Sequence, residues 1–496
     1  MLKKIYPEVY AGNRSHYAFC HCHRLGRRPY LIIKTDKHKR MKIYQSVKIS
    51  CCLLLLLLHL KGFAQQPQTS LPQLLQLAEK NYPLLKSKML DIKAAQKGID
   101  VSKSTLIPSL DASYQMDYAT YNNVTGMAYP QFLIPISGPP STGNNMNAVF
   151  GSATSLLLNW QPITFGQRQA QVDFAKAGLQ YANADAENEI FQHKIKVINA
   201  YLDVLTATEL VKVYQNNLQR TEANLQAVQS LVNSGIRPGV DIALFKAEDS
   251  KAKVELLNSQ KYKEQTRIYL SQLLATDNNI SVADTFFFSK LPVTTLSGDS
   301  VKNPLINLYN SNIAIGFARK KVLSKTTMPT LGTWSTIYAR GSGISYNGTV
   351  KAIDGLGLQR INYGIGLQLS VPLLQSARIR PQLQQQDFLI QSNQEKLNEI
   401  QLQLKKQNEL ADTSLNNAFA VVKESPLFLE SAQFSYRAMQ SRYQSGLATI
   451  SDFMQAQYAL IKAETDYKLA YMSVWKAFLY KAAVNGDLNL FINQVN

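Results

Sequence analysis

The chain has 496 residues, of which 45% are apolar, and a formal net charge of +19. This length is enough for two or three domains. All 4 cysteines, five of the 6 histidines and 13 of the 53 Lys and Arg residues lie in the first 64 residues. The rest of the chain carries 40 basic and 32 acidic residues. Its lack of cysteine excludes a disulfide framework, a cysteine nucleophile and a Cys/His metal site beyond residue 64.

Residues 41–64 have the layout of a secretory signal peptide. A short basic stretch precedes a 12-residue apolar run at 49–60, and Gly62-Phe63-Ala64 supplies small residues before a cleavage site. The run is shorter than the ~20 residues that a membrane-spanning helix needs. We predict an exported mature chain cleaved after Ala64, and we interpret residues 1–40 as an upstream artefact or leader. The overall positive charge is then no evidence for nucleic-acid binding.

The mature sequence contains two similar halves, whose landmarks recur at an offset of 221 residues near the start and 211 near the end. The corresponding pairs are Tyr82-Pro83-Leu84 with Asn303-Pro304-Leu305, Pro108-Ser109-Leu110 with Pro329-Thr330-Leu331, and Ser234-Gly235 with Ser445-Gly446. Such spacing predicts a two-fold internal repeat. We place the first repeat at 65–285, a linker at 286–300 and the second repeat at 301–496.

Each half predicts a helix, a strand pair and a long helical hairpin, in that order. The expected helices lie at about 71–104 and 301–325, the strand pairs at about 109–120 with 152–161 and 331–340 with 361–371, and the hairpins at 165–275 and 377–485. The strands alternate between apolar and polar residues, most cleanly in the last strand. Their length of ~10 residues suits tilted strands that cross an outer membrane. A soluble sheet with one wet face is the alternative.

The connecting segments also differ in character. Residues 118–167 contain no charged side chain and are rich in Gly, Pro, Ser, Asn and aromatics. They suit a loop at the outer mouth of a barrel with an aromatic girdle, or else a low-complexity loop.

The hairpin sequences have the 3- and 4-residue spacing of a coiled coil. A helix of 68 residues at 165–232 would be ~100 Å long, which predicts an elongated molecule.

Four strands cannot close a transmembrane barrel, because the smallest single-chain barrel has ~8. Open sheet edges in lipid would leave backbone groups unpaired at a cost of several kcal/mol each. If the strands lie in a membrane, several copies of the chain must therefore complete the barrel together.

Over residues 70–485 the chain resembles the TolC-like outer membrane efflux protein family. The shared features are the paired prolines before the first strand of each half, Pro162 and Pro372 with the arginines that follow, and the two Ser-Gly turns with an aspartate downstream. The resemblance implies a mixed α/β membrane protein, a homotrimer with a 12-stranded barrel in the outer-membrane lipid and a helical tunnel in the periplasm. It also implies a periplasmic adaptor (membrane fusion) protein and an inner-membrane pump or exporter as partners.

The resemblance also implies roles for residues at the two turns. Gly235, Ile236, Gly446 and Leu447 match the turns that meet the adaptor. Tyr443, Asp452 and Asp241 match positions that narrow the closed end of the tunnel. For Asp452, and for Asp241 in the other hairpin, a plain helix cap is the alternative. Ala448 and Gln455 depart from the family pattern, in which a latch arginine and a second ring aspartate can occur.

The sequence gives little support for catalysis. It contains no phosphate-binding loop, metal-ligand cluster or nucleophile elbow of recognised spacing. His193 is predicted to be a solvated surface residue. We therefore expect no enzyme activity and no cofactor. The sequence favours an exit duct of a tripartite efflux or type I secretion system over an exported coiled-coil scaffold or adhesin without a pore, and over a periplasmic adaptor.

Overall fold

The two halves of the sequence share a helix, two strands and two long helices in the same order, and each has one further short helix, at the start of the first half and at the end of the second. The computed structural model describes residues 70–122, 142–277, 282, 284–293, 302–345 and 349–495. The predicted signal peptide, residues 1–40 and part of the uncharged 118–167 segment lie outside the described residues. The first half contains α1 (Leu71–Asn81), α2 (Pro83–Ser104), β1 (Ser109–Ala119), β2 (Val149–Ile163), α3 (Gln167–Asn233) and α4 (Val240–Leu274). The second half contains α5 (Pro304–Lys325), β3 (Thr330–Ser342), β4 (Arg360–Ser370), α6 (Gln375–Gln444), α7 (Ile450–Asn485) and the short α8 (Asn489–Ile492).

The helix expected at 71–104 is divided in two at Tyr82. Pro83 has no backbone N–H and disfavours a helical conformation in the residue before it, and Tyr82 is extended with φ −63° and ψ 122°. Proline is well suited to the first position of a helix. Pro83 therefore begins α2 and Pro304 begins α5, and both helices are 22 residues long. The repeated prolines mark the same helix start in both halves.

The helix α6 continues through two prolines, Pro381 and Pro426. Pro426 cannot donate a hydrogen bond to the carbonyl four residues earlier, which belongs to Val422. The hydroxyl of the buried Ser425 donates to that carbonyl instead, at 3.0 Å. This side-chain bond compensates for the missing backbone bond, so α6 reaches its full 70 residues. None of the described helices combines the length and the apolar composition that a membrane span requires.

The four predicted strands form one antiparallel sheet in the order β1-β2-β3-β4. Each strand pairs with its neighbour in sequence, so β1 and β4 are the outer strands. The strand β2, at 149–163, is longer than the predicted 152–161 and carries an irregularity between Trp160 and Ile163. In the described chain each outer strand is paired on one side only, which leaves a row of backbone groups on the other side.

With exceptions such as Leu157 and Trp334, the register places the apolar residues of all four strands on one face of the sheet. These residues are Leu110, Ala112, Tyr114, Met116 and Tyr118 of β1, Phe150, Leu156, Leu158 and Trp160 of β2, Ile337 of β3, and Ile361, Tyr363, Ile365, Leu367 and Leu369 of β4. Ile365 and Leu367 are 78% and 79% exposed. The opposite face carries polar residues such as Asp111, Asn362 and Gln368. An open apolar face of this size indicates an interaction surface.

Two apolar clusters hold the helices together. The larger one surrounds Trp475, which packs against Phe287 with ring centroids 5.0 Å apart. The smaller one lies beside the turns that end α3 and α6, and includes Phe245, Tyr443 and Phe453. The smaller cluster fixes the side chains of the candidate site.

The prediction that His193 is a solvated surface residue is wrong. Its side chain is buried and stacks on Tyr82, with ring centroids 3.9 Å apart. Its Nε2 lies 3.0 Å from the carbonyl oxygen of Leu273. Burial lowers the pKa of the imidazole. Tyr82, which belongs to a different segment of the chain, covers this face of α3. The sequence pattern within α3 alone does not reveal such a contact.

Candidate functional site

The two long hairpins turn by the same backbone device. Gly235 has φ +75° and Gly446 has φ +78°, a left-handed conformation that side chains rarely adopt. The N–H of Ile236 donates to the carbonyl of Leu231 at 2.9 Å, and the N–H of Leu447 donates to that of Arg442 at 2.8 Å. These six-to-one bonds end each helix in a Schellman motif.

The turns expose the residues that the resemblance assigns to adaptor docking. Gly235 and Gly446 are exposed, and the side chains of Ile236 and Leu447 are 58% and 71% exposed. An exposed apolar side chain at each tip gives a partner an anchor to bury. The docking role itself stays a prediction.

Tyr443 and Asp241, predicted to narrow the tunnel, are in direct contact. The Tyr443 hydroxyl donates to Asp241 Oδ2 at 2.6 Å, and both side chains are buried. The tyrosine ring stacks on Phe453 with ring centroids 5.4 Å apart. Burial, followed by the bond to Asp241, raises the pKa of Tyr443 above its usual value. The hydroxyl therefore stays protonated at neutral pH and links α6 to α4.

Asp452 lies in a different environment. It is exposed at the start of α7 and forms a capping box with Thr449. Its Oδ2 accepts hydrogen bonds from the Thr449 hydroxyl at 2.7 Å and from the Thr449 N–H at 3.1 Å, and these bonds lower the pKa of the carboxyl group. Within one chain, Asp452 is thus the third residue of α7, and its carboxylate completes the capping box in which Thr449 is the N-cap residue. A part in a tunnel constriction remains a prediction.

An open groove of about 420 Å³ lies between the two turns. Its lining includes Asp241, Gly446, Leu447, Ala448 and Asp452. The groove therefore brings candidate constriction residues and candidate docking residues to one place.

Arg237 is a residue of this site that sequence reasoning missed. It lies in the first turn, and its guanidinium group donates to the carbonyl oxygens of Tyr443 and Ala448 in the second turn. Its central carbon is 4.1 Å from the centroid of the Tyr443 ring. An arginine beside a turn glycine does not by itself predict a bond between the hairpins, because its acceptors are backbone carbonyl groups, which every residue has.

A polar layer farther from the turns also joins the two hairpins. Arg220 of α3 forms a bidentate ion pair with Glu464 of α7, and both bonds are 2.7 Å long. One turn along α3, the buried Asn224 donates to the hydroxyl of Tyr436 at 3.0 Å and to Gln457 at 3.2 Å. Bidentate arginine–carboxylate pairs fix geometry as well as charge. The ion pair and these hydrogen bonds thus align the two hairpins at a layer farther from the turns.

The described residues contain no group of three or more His, Cys, Asp or Glu side chains placed to hold a metal ion. The hydrogen bonds of the site join side chains to each other and to backbone atoms of the other hairpin. The arrangement is suited to holding the two hairpins in a fixed relation.

Comparison with known proteins agrees with the sequence pattern. A family model described as outer membrane efflux protein matches residues 74–276 and 333–477. The chain is 22% identical over 454 residues to the outer membrane protein TolC of Escherichia coli K12, covering 88% of this chain and 83% of that protein. It is 23% identical over 437 residues to the pyoverdine export outer membrane protein OpmQ of Pseudomonas aeruginosa, covering 84% and 85%.

The fold is shared with solved outer-membrane channels. The outer membrane channel CmeC of Campylobacter jejuni superposes with a TM-score of 0.65 at 14% identity, covering 84% of this chain and 85% of that chain. The predicted fold, in which two repeats together give each chain four antiparallel strands and long helices, is confirmed as the fold of these channels.

Proposed function

The chain belongs to the outer membrane efflux protein family, and from this premise we propose that three copies form the exit duct of a tripartite efflux or type I secretion system. Members of the family are non-enzymatic channels of the outer membrane with a periplasmic helical domain. Channels of the TolC family form trimers in efflux systems. In this proposal the duct passes substrates from an inner-membrane pump, through a periplasmic adaptor, to the exterior.

The observation that carries the proposal is the sheet with one apolar and one polar face. Lipid contact accounts for the exposed apolar face, and a water-filled lumen accounts for Asp111, Asn362 and Gln368 on the other. Pairing β4 of one chain with β1 of the next closes three sheets into 12 strands and satisfies the open edges. An exported scaffold or adhesin without a pore offers no role for this two-sided sheet.

Cysteine cross-linking tests the closure directly, because the chain has no cysteine beyond residue 64. Within one sheet β1 and β4 are three spacings apart, roughly 14 Å, whereas a disulfide joins Cα atoms within ~7 Å. We expect Gln115→Cys to give covalent trimers under oxidation with one of two partners, Asn362→Cys or Gln368→Cys, whichever the register between chains brings opposite it. Non-reducing gels of outer-membrane fractions provide the measurement.

The control combines Gln115→Cys with Ile365→Cys. These positions lie on opposite faces of the sheet, so their side chains point apart and should not form a disulfide. Monomers in every combination, from a protein that is present in the membrane, would contradict closure through β1 and β4.

The docking part of the proposal rests on the exposed apolar residues at the two tips. Desolvating an aspartate in an apolar contact is costly. We therefore expect Leu447→Asp to reduce binding of the purified channel to its periplasmic adaptor at least about tenfold. Ile236→Asp should have the same effect at the other turn. Pull-down with the purified adaptor measures it, with trimer content and bilayer conductance as controls for folding. Undiminished adaptor binding by both variants would refute docking at the tips.

A further inference from the structure

The two turns of one chain are connected by a clasp on Tyr443. Arg237 holds this residue at its backbone carbonyl and covers one side of its ring. Asp241, four residues farther along, accepts the hydrogen bond of its hydroxyl group at 2.6 Å. Both holding residues belong to the first turn and its following helix, and Tyr443 belongs to the end of α6. The first hairpin therefore binds Tyr443 of the second hairpin at two points, its backbone carbonyl and its hydroxyl group.

Of the two carbonyl groups that Arg237 binds, that of Tyr443 lies in the last turn of α6 and that of Ala448 lies in the turn that follows. The last four carbonyls of a helix have no partner within it, and the helix dipole makes this end partially negative. The Tyr443 carbonyl also accepts a bond from the N–H of Gly446 at 3.1 Å. The Ala448 carbonyl accepts from Arg237 at 2.9 Å. A guanidinium group placed at these oxygens makes charge-assisted bonds, which are stronger than neutral ones.

The surroundings distinguish Arg237 from an ordinary surface arginine. Its side chain is half-buried, and its Nε is shielded from solvent. Arg442 offers a useful comparison, because it is exposed and lies next to Tyr443 on the second hairpin itself. Both arginines bring positive charge to the turns, but Arg237 alone of the two crosses between the hairpins in the described structure.

We propose that Arg237 is the gating residue that keeps the two tips of each chain together in the narrowed state of the duct. Arg237 extends from the first turn and binds main-chain oxygens of the second hairpin, so its bonds oppose separation of the two tips. This role rests on the proposed function, whereas the clasp itself can be measured without any assumption about conduction.

Two measurements on the purified full-length protein test the proposal. In hydrogen exchange followed by mass spectrometry, Arg237→Ala is expected to accelerate exchange of the amides between Tyr443 and Thr449 about tenfold or more, since the clasp bonds no longer oppose local opening. In planar lipid bilayers the same variant should raise the mean single-channel conductance at least about twofold, because each of three tips is loosened. Arg237→Lys should lie between wild type and Arg237→Ala, because lysine lacks the planar fork and stacks poorly.

Arg442→Ala is the matched control, since it removes an equal charge near the same turn without breaking a bond between hairpins. It should leave both the exchange and the conductance at wild-type values. Equal exchange in Arg237→Ala and Arg442→Ala would overturn the clasp. Faster exchange in Arg237→Ala with unchanged conductance, in a channel that conducts, would overturn the gating role. If wild type and every variant fail to conduct, the proposed channel function fails, and the exchange result still decides whether the clasp exists.

Discussion

Replacing Ile365 with arginine is expected to prevent the protein from assembling in the outer membrane. Ile365 lies at the middle of β4, on the apolar face, and is 78% exposed in the single chain. An arginine at the midplane of a lipid-facing strand costs about 2–4 kcal/mol. A trimer carries the change three times, so the penalty is comparable to the ~5–15 kcal/mol that stabilises a typical folded protein.

The measurement is the amount of heat-modifiable trimer in outer-membrane fractions, by gel electrophoresis without boiling. Gln368→Arg is the matched control, because it introduces the same charge three residues away on the same strand. Gln368 is on the polar face, where charged residues tune selectivity without facing lipid. It should assemble at wild-type levels. Equal assembly of both variants would show that the two faces of the sheet do not differ in environment, and the membrane placement of the strands would be wrong.

The strands were predictable because apolar and polar residues alternate with a two-residue period when the two faces of a sheet lie in different environments. The last strand alternates cleanly in sequence, and its apolar and polar residues indeed lie on opposite faces. β3 alternates less cleanly because Trp334 lies on the polar face. Its ring occupies the space above Gly364 and Gly366, where side chains are lacking. A large residue is thus accommodated by glycines on the neighbouring strand, which no pattern within β3 could indicate.

The helices were harder to delimit, because prolines act differently in different contexts. Pro83 begins a helix and divides the predicted one. Pro426 lies inside a helix, since Ser425 satisfies the carbonyl that the proline leaves free. The sequence pattern alone does not distinguish a proline that begins a helix from a proline that lies inside one. The burial of His193 was missed for a related reason, because the stacking ring of Tyr82 comes from a distant segment.

The candidate site shows the same division between local and tertiary information. The turn glycines follow from the need for a left-handed residue after a helix, and the sequence pattern predicted both. Family resemblance pointed to Tyr443 and Asp241, but their hydrogen bond is a tertiary fact. Arg237 escaped notice because its acceptors are main-chain oxygens, which every residue possesses. A side chain that binds main-chain atoms is therefore difficult to identify from the sequence alone.

Trp475→Ala is expected to lower the free energy of unfolding of the helical region by about 3–5 kcal/mol, the usual cost of truncating a buried aromatic residue. Trp475 has no exposed surface, and its Nε1 donates to the carbonyl of Lys290 at 3.1 Å. Its ring meets Phe287, from the segment between the repeats, and Phe491, from α8. The substitution would therefore leave a cavity, an unpaired carbonyl and two chain segments without their shared contact.

Urea titration followed by the helical circular dichroism signal measures this effect in the detergent-solubilised protein. Trp475→Phe keeps an aromatic ring but loses the indole N–H, so it should destabilise the protein less than alanine does. Phe434→Ala removes an aromatic side chain that is 70% exposed on α6, and it should change the unfolding free energy by no more than about 0.5 kcal/mol. A Trp475→Ala midpoint equal to that of Phe434→Ala would mean that this cluster does not join the repeats. The helices would then have to be held together mainly by the bonds between the hairpins and by neighbouring chains.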